Sequence, residues 1–133
     1  MDEEINAGTV RAAVVGEVIK KIKDTVLNGT PGVDYTIANR DKYRKLKQHY
    51  NISDKKVREI LLDLTDTDFI KNELSNHQEH PQDEVYVFKK TTLLMPRLQQ
   101  NAEYQNITIY IKLTWPVGVA NKLFIISFHE DNI

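Results

Sequence analysis

Apolar and polar residues alternate along Asn106–Trp115 (NITIYIKLTW), where Ile107, Ile109, Ile111 and Leu113 interleave with Thr108, Tyr110, Lys112 and Thr114. Period-two alternation predicts a β-strand with one buried face and one polar face. Lys122–Glu130 (KLFIISFHE) predicts its partner strand, the pair turning at Pro116–Asn121. Glu84–Lys90 predicts a further strand, with Val85 and Val87 opposite Tyr86 and Phe88, and a strand or hairpin arm follows through Leu93–Leu98.

The first half of the chain has the other period. Val15, Val18, Ile19, Ile22 and Val26 fall at helical spacing, so a helix is expected from an N-cap at Thr9 to about Leu27, stopped by Asn28-Gly29. After a turn at Thr30–Val33, a basic helix is expected over Ala38–Tyr50, with Tyr43, Leu46 and Tyr50 on its apolar side. Ser53 is placed to cap a third helix that buries Val57, Ile60, Leu61 and Leu64, and Thr65 a short one through Asp68, Phe69 and Lys71. Residues 75–84 (SNHQEHPQDE) read as a loop. Helices followed by a meander make an α+β protein: N-terminal helices packed on a small antiparallel sheet, a single domain over residues 1–133. Within it, 1–30 read as an N-terminal helical extension, 31–76 as the helical part and 84–133 as the sheet.

Composition narrows the compartment more than the chemistry. No apolar run approaches the length that spans a bilayer, the N-terminus is acidic, and cysteine is absent, so a cytoplasmic protein without disulfide or thiolate chemistry is expected. Charge is uneven although the net is only −1: residues 1–36, 37–62, 63–84 and 85–133 carry −2, +5, −6 and +2. A basic segment beside an acidic one fits an anion-binding face next to a partner-binding face, or simply solvated helices and a charged loop.

The polar side of the sheet carries more than a core requires. Tyr110 and Lys112 stand two residues apart on one strand, and His129 ends its partner. A phenol, an ammonium and an imidazole on or beside one surface suit a phosphodiester, because metal-free RNA cleavage needs a base, an acid and positive charge near the phosphorus. Histidine titrates near neutrality and fits the acid or base role. Lys71 and Lys112 supply charge, and Arg97 joins them if its arm folds over the site. His77-x-x-His80 lacks a third ligand at a diagnostic distance, so no metal and no cofactor are expected. A phosphate-binding glycine loop and a Gly-x-Ser-x-Gly elbow are both missing.

Taken in order, Ile52–Leu64 (ISDKKVREILLDL), Thr65–Lys71 (TDTDFIK), Glu84-Val85-Tyr86, Ile109–Thr114 (IYIKLT) and Leu123–Glu130 (LFIISFHE) resemble the MqsR family, toxins of type II toxin–antitoxin systems and members of the RelE-like ribonucleases. The resemblance implies a RelE-like fold and a metal-independent mRNA interferase held inactive by a cognate antitoxin, touching DNA only through an antitoxin complex. It maps functional positions onto Lys71, a glutamine near Gln82, Tyr110 and His129, with His129, Tyr110 and Lys71 expected to be catalytic and Gln82 to bind substrate. Tyr86, on the matching Val-Tyr strand, is expected as a further substrate contact. Two departures stand out. The family usually has lysine where this chain has His129, and its Gln-Asp-Val-Tyr is stretched here by Glu84. A competing reading takes residues 43–62 as a helix-turn-helix and Glu84–Thr91 as the wing of a GntR-like regulator, with Lys55, Lys56 and Arg58 facing DNA. A third is a catalytically inactive interaction protein on the toxin fold.

Overall fold

The computed structural model describes residues 2–74, 83–116 and 122–131, with side chains from residue 14 onward. Helix α1 runs over Asp2–Asn28, seven residues beyond the cap expected at Thr9. Val15, Val18, Ile19, Ile22 and Val26 form its buried stripe, as their spacing predicts. The helix stops at Gly29, whose amide bonds to the Thr25 carbonyl and where an added Cβ collides with that oxygen and lies 2.7 Å from Asp34 Cβ. Arg58 reaches back to donate to the Leu27 carbonyl at 3.2 Å.

Strand β1, Tyr35–Ile37, is three residues long, too short to leave a periodic signal. Helix α2 follows over Asp41–His49 and α3 over Asp54–Leu62. The expected start of α2 at Ala38 is corrected by three residues, because the Ala38 amide is spent on the Ile125 carbonyl at 2.9 Å. Ser53 caps α3 as predicted, its Oγ accepting from the Lys56 amide at 3.1 Å. A single 3-10 turn over Asp66–Asp68 replaces the expected short helix. Phe69 and Lys71 belong instead to strand β2, Phe69–Leu74.

Strands β3, Glu84–Leu94, β4, Gln105–Thr114, and β5, Leu123–Glu130, complete a five-stranded sheet in the order β1-β5-β4-β3-β2. Four strands form an antiparallel meander, and β1 joins the β5 edge in parallel, so the sheet is mixed rather than antiparallel. The Leu93–Leu98 segment is not a separate arm. β3 continues unbroken through Leu94, and Pro96 then bridges to Tyr50.

The helices cover one face of the sheet. There Phe88, Ile109, Ile111, Leu113, Ile125 and Phe128 meet the stripe of α1, Leu46 of α2 and Val57, Ile60 and Leu61 of α3 in one continuous core. Tyr43 of α2 packs edge-on against Phe128 at 6.0 Å. Near-complete burial of side chains this large is the main favourable term holding the layers together, about 1.5–3 kcal/mol for each. The opposite, open face is the more polar one, with Lys71 exposed, Tyr110, Lys112 and His129 partly exposed, and Val85 and Val87 buried among them. No helix among the described residues is long and apolar enough to cross a membrane.

Candidate functional site

Which face a strand residue occupies follows from its parity, and two one-residue bulges reset that parity where it matters. In β2, Phe69 pairs with Phe88 and Lys71 with Val87, leaving Ile70 as the extra residue. In β5, Ile125 pairs with Leu113 and Ser127 with Lys112, leaving Ile126 extra. Strict alternation from the helix-facing residues Phe69 and Ile125 turns Lys71 and His129 inward. The bulges turn both outward, to the face that carries Tyr110 and Lys112.

The open face is therefore ordered in cross-strand rows. One row runs Lys89–Tyr110–His129 across β3, β4 and β5, and the next runs Lys71–Val87–Lys112–Ser127 across β2 to β5. Tyr110 and His129 stack with ring centroids 5.1 Å apart and planes 17° from parallel. His129 Nδ1 lies 2.8 Å from the Glu130 carbonyl oxygen. A carbonyl only accepts, so this bond requires the proton on Nδ1 and leaves Nε2 as the acceptor nitrogen of the neutral ring.

The lysines are tied through Glu73, which lies 3.3 Å from Lys71 Nζ and 3.6 Å from Lys112 Nζ. The hydrogen bond and charge of Lys71, seconded by Lys112, hold the Glu73 carboxyl below the usual carboxylate range. A carboxylate with a lowered pKa is a poor proton acceptor, and Glu73 here bridges the two ammonium groups. Strands lie about 4.8 Å apart, which puts Lys71 on the order of 14 Å from His129 at the backbone. Tyr110, Lys112 and His129 are the close group, and Lys71 reaches it through its long side chain and Glu73.

Two predicted residues lie elsewhere. Tyr86 points to the helix side, where its ring meets Trp115 edge-on at 6.1 Å and Lys21 sits 4.4 Å above the indole. Its hydroxyl donates to Glu84 at 2.6 Å, and burial first, then that carboxylate, push the phenol up to about 12. Arg97 does not fold over the sheet. Its Nε donates to the Lys47 and Tyr50 carbonyls at 2.8 and 3.0 Å, closing the end of α2. Gln82, His77 and His80 lie outside the described residues.

Sequence reasoning missed Lys89. It stands in the row of Tyr110 and His129, half-exposed, 3.2 Å from Asp131. Its parity with Val85 and Val87 was the available signal. Those two valines are themselves buried on the open face, so an apolar pair disguised the side to which Lys89 belongs.

Of the segments read as a DNA-binding module, residues 43–62 do fall on two helices joined by a short connection, α2 and α3, but the wing does not form. Glu84–Leu94 is an interior strand paired on both edges, with β2 and β4, rather than a projecting wing. Arg58 is engaged at the end of α1. No protein-family model, curated protein or solved structure matches the chain.

Proposed function

We propose that this protein is the toxin of a type II toxin–antitoxin system, a metal-independent endoribonuclease on a RelE-like fold, acting in the cytoplasm and neutralised by a cognate antitoxin protein. The observation that supports this reading is the pair of bulges, at Ile70 and Ile126, which turn Lys71 and His129 onto the face of Tyr110 and Lys112. Bulges disrupt a ladder locally and persist where they re-aim a side chain. Three of the residues on that face, Lys71, Tyr110 and His129, are among those that the resemblance to the MqsR family marks.

In the reaction, a base removes the proton of the ribose 2′-hydroxyl and the 2′-oxygen attacks the adjacent phosphorus. The bond from phosphorus to the 5′-oxygen breaks, and an acid protonates that oxygen, leaving a 2′,3′-cyclic phosphate and a 5′-hydroxyl. His129 Nε2 exchanges the proton at one of these steps. Lys112, Lys71 and Lys89 offset charge on the pentacoordinate phosphorus. Tyr110 holds the imidazole by stacking and presents its hydroxyl to the substrate.

The test is incubation of purified protein with mixed-sequence RNA, free and on translating ribosomes, with EDTA present. Fragments ending in 2′,3′-cyclic phosphate are expected. RNA left intact in both settings rejects the reading.

A further inference from the structure

The β5 edge is only half covered. β1 pairs with it through Ile37 and Ile125, after which Ala38 leads the chain away to α2. Beside Ile126–His129 the edge opens into a cleft of about 320 Å³, lined by Arg40, Lys42, Tyr43, Ser127 and His129 among others. Arg40 and Lys42 are exposed and form no ion pair among the described residues. Asp41, the acid between them, also lines the cleft, and its charge is offset by its pairing with Arg44. The cleft is thus cationic, and His129 belongs both to its wall and to the open face of the sheet.

We infer that this cleft is a phosphate subsite for single-stranded RNA. The strand passes from the open face over His129, and Arg40 and Lys42 bind the backbone phosphates flanking the scissile one. The inference rests on the ribonuclease reading and extends it to where the rest of the substrate runs. A peptide adding itself as a sixth strand is disfavoured, because Ile126 is bulged and breaks the ladder on that stretch of edge. An anionic strand held through its phosphates needs no ladder, only spaced cations and room.

The test uses the full chain and fluorescent 2′-O-methyl RNA, which lacks the attacking hydroxyl, so that binding is read apart from cleavage. Short oligomers (about three nucleotides) and long ones (about nine) are compared by anisotropy. The Arg40→Ala/Lys42→Ala double variant should bind the long oligomer about tenfold or more weakly, with a salt slope shallower by about 1.4 for two lost phosphate contacts. Its affinity for the short oligomer should change little. The Lys45→Ala/Lys55→Ala double variant, which removes two exposed charges away from the cleft, is the control for net charge. Equal losses in that control, or a polyglutamate peptide displacing the long RNA as readily as RNA does, overturn the inference in favour of a general anion surface. Unchanged long-oligomer binding in the double variant, with wild-type protein cutting RNA, overturns the inference alone. Weakened long-oligomer binding with no cutting by wild type upholds the subsite and rejects the ribonuclease, and neither binding nor cutting rejects both.

Discussion

Glu73 shows how one side chain sets the electrostatics of the open face. It is ionised through neutral pH, and its lowered pKa keeps it so into mild acid, so Lys71 and Lys112 stay clamped until the pH falls through that lowered value. Glu73→Gln unclamps them and removes one negative charge from the face. RNA binding should tighten and kcat should fall, since net positive charge is gained while its placement is lost; unchanged kcat in a steady-state assay would show that the clamp does not position the lysines. His129→Ala should lower cleavage about a hundredfold or more, the scale of a lost acid–base group. A variant cutting at the wild-type rate removes His129 from the mechanism.

At the scale of elements, each boundary is set by where a backbone hydrogen bond is spent. α3 begins at Ser53 because its hydroxyl satisfies the Lys56 amide, one of the donors a helix start leaves unpaired. Ser53→Ala should lower unfolding free energy by about 1 kcal/mol, measured by urea titration, without moving RNA affinity. The strands that carry the site obey parity except at Ile70 and Ile126, and these exceptions decide its composition. Lys90 belongs to the same strand as Lys89 but faces the helices, where it bridges Asp63 and Asp68 at 3.3 Å each. It joins β3 to the end of α3, while its neighbour serves the open face.

Across the whole molecule, three groups predict how stability depends on alkaline pH. Burial, helped by Glu130, raises the Tyr50 phenol, and burial with Glu84 pushes Tyr86 up to about 12. Burial opposes the charge of Lys90, but hydrogen bonds to Asp63 and Asp68 outweigh it and leave that pKa raised as well. Each group holds its proton more tightly folded than unfolded. Their stabilisation is complete below the unfolded values, near 10 for the phenols and about 10.4 for lysine, and is lost as pH rises through the folded ones. The urea midpoint should therefore fall between about pH 10 and 12, and Tyr86→Phe should flatten that fall. A midpoint constant across this window in both proteins would contradict the assignment.

By itself the sequence determined what depends on neighbours along the chain. The stripe of α1, the Ser53 cap, the alternation of β4 and the α+β order all follow from spacing and local hydrogen bonding, and all appear in the fold. Tertiary structure decided what depends on pairing between strands. β1 exists because β5 offers it an edge, and Arg97 was drawn to α2 by unpaired carbonyls there. Lys89 met Tyr110 only through register. The faces of Lys71 and His129 are the clearest case, because parity turns both inward and one extra residue in each strand turns both out. A bulge forms when burying the larger apolar set outweighs a broken stretch of ladder. That balance is struck between strands, so no single stretch of sequence contains it.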